Sequence, residues 1–323
     1  MGRAEQLRMN ILRGLSGLRQ LPPGAVLSVG NFDGVHRGHA QILARARELR
    51  AGSPGGGGGV AIATFEPHPL SVLRPELAPP RLMPRAVKHE LLAAEGVDHL
   101  VELAPAPEIL ELSAEAFWAL LRDELRIAHL IEGPTFTFGK GRHGTIGRLR
   151  EWATGSGIGV HAAPAHEVVL ADLSVVTVSS TLVRWLVGHG RARDAAVCLG
   201  RPYALAGEVV KGFQRGRTIG VPTANLNVTE QMVPMDGVYV ARCAVDGTTY
   251  PAALSVGLLP TMEAGRRQVE AHLLGFNGDL YGRQLSVDVI DWLRDQRKFQ
   301  GLDPLKAQIA RDLDAARAVA SGV

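Results

Sequence analysis

The chain has 323 residues, 46% of them apolar and 21% charged, with a formal net charge of +3, the balance of an ordinary globular protein. At about 150 residues per domain the length predicts two domains, and 5% aromatics with no interleaved basic stripe argue against a single-stranded nucleic-acid platform. No apolar run reaches the length of a membrane span, and the opening MGRAEQLRMNILRGLSGLRQL lacks the continuous apolar centre of a signal peptide, so a cytoplasmic protein without membrane attachment is expected. The two cysteines, Cys198 and Cys243, lie far apart and form no CxxC pair, which favours reduced, partly buried thiols over a disulfide or zinc site.

The basic opening reads as a surface segment leading into a first buried strand of Ala25, Val26, Leu27 and Val29. Gly30 to Gly34 supply turn chemistry and residues 40–49 a helix. At the join, His36 and His39 are three apart. If the helix starts near them they share a face over its positive end, where N–H groups favour phosphate oxygens and imidazoles can stabilise charge on a reacting phosphorus. Two exposed polar histidines are the alternative. The five glycines at Gly55 to Gly59 predict a flexible surface loop, since they lack the Lys-Ser/Thr ending of a P-loop.

Residues 60–65 read as a second strand that Pro67 and Pro69 stop, leaving Glu66 and His68 at its carboxyl end. A helix over residues 88–94, a strand over 97–103, a helix over 113–125 capped by Ser113 and a strand over 128–131 continue the alternation of a parallel doubly wound sheet. The pair His89-Glu90 has no second histidine at zinc-protease spacing and reads as a surface helix pair. In EGPTFTFGKGRHGTIGRLREW, Gly, Lys and Arg suit phosphates, while Phe136 and Phe138 either pack the loop or flank a ring. In VVTVSSTLVR, the hydroxyls of Ser179, Ser180 and Thr181 can cap the next helix or face a phosphate, with Arg184 one turn on. That helix runs through Trp185 to Val187, and GHGRARDAAVCLGRPY leads out of the domain.

From about Tyr203 the texture changes. ALAGEVV, GVYVARCAV, TYPAALSVG, VEAHLLGF and LSVDVI are short β-rich runs between turns, which predicts an antiparallel sheet or small barrel, and residues 303–318 predict a closing helix. KGFQRGRTIGVPTANL reads as a turn-rich loop in which Gly212, Gly216 and Gly220 permit close backbone approach and Arg215 and Arg217 add charge. In the same loop Thr223 and Asn225 offer oxygen ligands for a hard cation. Glu270, emerging from a strand, can accept a proton from an attacking hydroxyl or simply face solvent.

GNFDGVHRGH resembles the nucleotidyltransferase signature of the bacterial bifunctional riboflavin kinase/FAD synthetase family, and the resemblance runs in the family's order from about Ile11 to Ala316. TFEPHP is similar to the family's TFxPHP, SSTLVR to its SSTxxR, GVPTAN to its GxPTAN and VEAHLLGF to its VExxLLxF. DLYG and WLRDQRKF are also family-like. There are two departures. Thr135 stands where GxNFxFG usually carries Asn or Asp, and Leu259 in VGLLPT stands where a polar residue is common.

The resemblance implies an α/β Rossmann-like nucleotidyltransferase domain over residues 1–187, followed by a small antiparallel β-barrel kinase domain with a C-terminal helix over residues 188–323. It implies phosphorylation of riboflavin to FMN and adenylylation of FMN to FAD, with ATP as co-substrate and Mg²⁺ as cofactor. By the same resemblance His36, His39 and Glu270 are catalytic. ATP phosphates are held by Gly30, Asn31, Phe32, Asp33, Gly38, Ser179, Ser180, Thr181 and Arg184 in one domain, and by Gly220, Pro222, Thr223 and Asn225 in the other. Phe65, His68, Thr135, Phe136, Arg294 and Phe299 would face the flavins, and Thr223 and Asn225 the metal. The expected partners are ATP, riboflavin, FMN and FAD, with no nucleic acid or membrane, in a monomer or weak homo-oligomer. Two alternatives stay open: a kinase with weakened or altered-substrate adenylyltransferase, prompted by Thr135, and a non-catalytic flavin- or nucleotide-binding regulator.

Overall fold

A computed structural model describes residues 9–53, 57–212, 220–258 and 267–320. Arg215, Gly216, Arg217 and Leu259 lie outside the described residues, as does the front of the glycine run. The chain divides into two units, Met1–Pro79 with Arg85–Glu167, and Pro80–Pro84 with Val168–Val323.

In the first unit, six strands are β1 (Asn10–Arg13), β2 (Val26–Val29), β3 (Val60–Phe65), β4 (His99–Leu103), β5 (His129–Glu132) and β6 (Gly159–Ala162). They pair in the order β1-β4-β3-β2-β5-β6, every pair parallel. VLSV, VAIATF and HLIE are buried almost throughout, as strands covered on both faces must be. From β2 the chain builds outward to β3 and β4, then returns to add β5 and β6 on the other side. That reversal opens a crevice at the carboxyl ends of β2 and β5. Leu27, Ala63, Val101, Leu121, Leu130 and Leu149 form the centre of this unit's core.

Several expectations need correction here. The opening is more than a lead-in: Asn10–Arg13 forms an edge strand in register with β4, Leu12 opposite Val101. The back of the glycine run is packed. A Cβ on Gly58 would overlap the carbonyl oxygens of Pro22 and Pro23 and the Ala25 amide, so glycine is needed for close approach. The helix after β2 is α1 (Arg37–Ala51), and it begins at the histidines rather than after them. The helix capped by Ser113 covers only Ala114–Ala119 before widening into a π-turn over Leu120–Glu124. His89 on α2 (Arg85–Ala94) is not a surface residue: its Nε2 lies 2.8 Å from a Glu102 carboxylate oxygen. Glu102 sits on a buried strand and takes Arg85 as a second partner, because a carboxylate there needs compensating charge.

In the second unit, β7 (Tyr203–Val210), β8 (Ala224–Asn227), β9 (Gly237–Val245), β10 (Thr248–Leu258), β11 (Arg267–Leu273) and β12 (Gln284–Arg294) close a barrel. The order is β7-β8-β11-β10-β9-β12, all antiparallel. Alternation along β7 and β11 sends every second side chain inward, where Tyr239, Leu254, Val256 and Val287 are fully buried. A strand beyond the five predicted runs, β8, is ANLN, so the last three residues of the stretch read as a turn-rich loop are sheet. Helices α3 (Ser180–Gly188) and α4 (Ala192–Leu199) share the barrel's core through Val183, Leu186, Ala195 and Cys198. α4 was not expected, since ARDAAVCL reads as an exit segment until its apolar face meets that core. α5 (Leu302–Ala320) closes the unit with Ala316 against Val240 and Ile290.

Candidate active sites

In the first unit the loop after β2 is pinned from β3. Gly30 N–H donates to the Ala63 carbonyl at 3.0 Å, and Thr64 Oγ1 donates to the Asn31 carbonyl at 3.0 Å. The loop turns through positive φ at Phe32 (47°), Gly34 (87°) and Val35 (36°), a conformation that costs side chains about 1–3 kcal/mol each. Burial offsets it: Phe32 and Val35 are both in the core, and the Phe32 ring lies 4.7 Å from the His39 ring. Asp33 is half-buried within this turn. His36 is the N-cap of α1, its Nδ1 accepting from His39 N–H at 3.3 Å, and the two imidazoles stack at 3.6 Å. The expected pair is therefore at the positive end of a 15-residue helix, with His36 buried and His39, like Gly38, half-buried.

His68 accepts Leu70 N–H on Nδ1 at 3.1 Å, so that nitrogen caps a turn, while Glu66 pairs with buried Lys88 at 3.1 Å. Phe65 ends β3 half-buried. Thr135 is exposed, and Phe136 stacks on Phe138 with ring centres 5.7 Å apart, which packs the loop.

One residue at the crevice was missed. Glu132, the last residue of β5, is buried, and its Oε1 accepts Val29 N–H at 2.6 Å. Burial pushes its carboxyl well above the usual glutamate range, against the hydrogen bonds from Val29 and Ser28. Burial also acts to raise Glu102, but there the bonds from Arg85 and His89 outweigh it and hold the carboxyl below that range. An acid closing the apolar strand HLIE was the signal available in the sequence.

The SSTLVR residues belong to the second unit. Ser179 caps α3, its Oγ accepting Leu182 N–H at 3.1 Å. Ser180 is half-buried, Thr181 is exposed, and Arg184 Nε donates to the Pro80 carbonyl at 2.7 Å.

On the barrel, Asn225 of β8 and Glu270 of β11 are register partners, so their side chains share a face. Gln268, two residues before Glu270 on that face, donates through Nε2 to Glu270 Oε1 at 2.7 Å and to Asn225 Oδ1. Asn225 is buried, and a Cβ on Gly212 would collide with its amide. Gln268 was missed, although strand alternation from Glu270 points to it. His272, the next residue on the same face, donates from Nδ1 to the Pro222 carbonyl at 2.6 Å and so holds the segment that presents Thr223. Beside this cluster opens a cavity lined by Thr223, Leu273, Phe276, Asp279 and Tyr281. The DLYG turn forms its rim, with Asp279 Oδ1 accepting Tyr281 N–H at 3.0 Å. Gly220 has a φ of 81°, in the region that favours glycine.

Arg294 is held elsewhere. Its Nη2 lies 2.7 Å from Asp312 of α5, and Phe299 packs beneath the guanidiniums of Arg294 and Arg297. Among the described residues no helix is long and apolar enough to cross a membrane.

The FAD synthetase family matches residues 18–181, and the riboflavin kinase family matches residues 199–320. The bifunctional riboflavin kinase/FMN adenylyltransferase of Pseudomonas fluorescens is 40% identical over 317 residues, covering 97% of this chain and 98% of the relative. That of Escherichia coli K12 is 37% identical over 314 residues, covering 96% and 97%. A crystal structure titled as a macrolide-efflux protein from Streptococcus pneumoniae superposes with a TM-score of 0.82 at 28% identity, covering 96% of this chain and 99% of that one. With both halves matched in order and relatives this similar along nearly their full length, the chain belongs to the bifunctional riboflavin kinase/FMN adenylyltransferase family.

Proposed function

We propose a division of labour for the two activities of this family, in which the His36–His39 loop acts on FMN and the barrel acts on riboflavin. Riboflavin kinase and FMN adenylyltransferase are the chain's activities, and both use ATP. The observation that carries the residue assignment is the pairing of Asn225 with Glu270 under a shared Gln268 donor.

In the kinase reaction Glu270 accepts the proton of the riboflavin 5′-hydroxyl as that oxygen attacks the γ-phosphorus. The Gln268 hydrogen bond fixes the carboxylate's orientation, and Gly220, Pro222 and Thr223 approach the phosphates. The oxygens of Thr223 and Asn225 fit a hard cation and would hold Mg²⁺ here. When bound, Mg²⁺ would neutralise phosphate oxygens.

For FMN adenylylation, His36 and His39 stabilise charge developing on the α-phosphate as the FMN phosphate displaces pyrophosphate. The N–H groups at the start of α1 add to that field, and Gly30, Asn31, Phe32, Asp33 and Gly38 shape the loop around it. Ser179, Ser180, Thr181 and Arg184 are assigned to ATP phosphates, and Phe65, His68, Thr135 and Phe136 to the flavin. We assign Arg294, held by Asp312 of α5, and Phe299 beneath it to the flavin end of the kinase site, a monomer or weak homo-oligomer as the working form, and the cytoplasm as the compartment.

The test is one incubation of the protein with riboflavin, excess ATP and Mg²⁺, followed by chromatography over time. FMN appearing first and FAD later is the expected result. FMN without FAD would favour the reading that Thr135 weakens adenylylation, and no product would refute the assignment.

A further inference from the structure

The crevice between β2 and β5 contains a buried acid with which, among the described residues, no cation pairs. Val26 and Leu27 of β2 register with His129 and Leu130 of β5, but the ladder stops there. Two residues on, Val29 N–H donates to the Glu132 side chain at 2.6 Å instead of to a strand carbonyl. The other carboxyl oxygen is 3.4 Å from Ser28 Oγ, and among the described residues no Lys, Arg or His forms an ion pair with it. The Glu132 main chain meanwhile stays in the sheet, its carbonyl accepting Ala163 N–H at 2.8 Å.

The side chain thus bridges the two strands where they part. Its length sets the width of the gap, and its bond falls on the residue before Gly30, where the loop bearing His36 and His39 begins. On the opposite side that loop is held by Ala63 and Thr64 of β3. Removing the β5 attachment takes away the hydrogen bond that holds the start of that loop to β5.

We propose that Glu132 is a positioning residue for FMN adenylylation, acting as a neutral hydrogen-bonding strut that fixes the end of β2 and with it the His36–His39 loop. It touches no reacting atom, and its function needs an acceptor for Val29 N–H and not a charge. This rests on the His36–His39 loop serving adenylylation, which the loss of FAD formation in His36→Asn tests separately.

The experiment compares wild type, Glu132→Gln and Glu132→Met, with FAD formation from FMN and FMN formation from riboflavin followed in each preparation. Gln keeps the acceptor, so its kcat for FAD should stay within about twofold of wild type. Met keeps the length without the acceptor. It should lower kcat for FAD by roughly tenfold or more while the KM for ATP and the riboflavin kinase rate hardly move, the pattern of misplaced groups rather than lost binding. Unchanged FAD formation in the Met variant would overturn the proposal, as would a Gln variant as damaged as Met. A Met variant whose first unit no longer folds would make Glu132 a stability residue and overturn it equally.

Discussion

Replacing Glu270 by Gln is the sharpest probe of the barrel's chemistry, because it changes the acid while leaving an oxygen where Gln268 donates at 2.7 Å. The side chain is half-buried on the outer face of β11, so the substitution has little packing cost. Losing a positioned base slows proton transfer by about 10²–10⁴-fold, or about 2.7–5.4 kcal/mol at about 1.36 kcal/mol per tenfold. Gln268→Ala tests the support separately. It removes one hydrogen bond to a charged group, about 1.5–3 kcal/mol, and it frees Asn225 as well. The double variant should fall short of the sum, since both changes act on one network. The assay is FMN formation from riboflavin under saturating ATP and Mg²⁺, with FAD formation from supplied FMN as the internal control. FMN formation by Glu270→Gln within roughly threefold of wild type, about 0.65 kcal/mol, would refute Glu270 as the base.

Other outcomes follow from the same geometry. His36→Asn keeps an N-cap of α1 but removes an imidazole, so FAD formation should collapse while the thermal midpoint moves little and the kinase rate is unchanged. Asp312→Ala strands the Arg294 guanidinium on a mostly buried surface and should lower the barrel's stability to denaturant by about 3–5 kcal/mol. The two strand glutamates should respond to pH with opposite sign. Glu102, held low in the fold, contributes stability that is present at neutral pH and lost as pH falls below 4.5 through its folded value, and Glu102→Gln should flatten that limb of the denaturation profile. Glu132, held high, favours the fold fully below 4.5 and loses that contribution as pH rises toward its folded value, so Glu132→Gln should gain on wild type at neutral pH and converge with it in acid.

The motifs were legible because each joins residues close in sequence. His36 and His39 meet across one helical turn, Ser179 caps the helix that its own string predicts, and the β-rich runs after Tyr203 carry period-two alternation. Contacts made at long range were not. Nothing near His89 announces Glu102, because the pairing depends on α2 lying over β4. Nothing near Val29 announces a carboxyl contributed 103 positions later. ANLN became a strand because β7 and β11 flank it, which overrides the turn preference of its asparagines. Gln268 lay within reach of alternation, yet its role emerges only when Asn225 is placed opposite Glu270.

Both cysteines lie in the second unit, Cys198 on α4 and Cys243 on β9, and both are buried, with burial pushing the Cys243 thiol up to about 11. An alkylating reagent at neutral pH therefore finds neither until that unit opens. Mass added per chain becomes a clock for unfolding of the kinase half, to which the adenylyltransferase half is silent. A tagged chain can in this way report when the kinase half opens in a mixture, whatever the state of the other half.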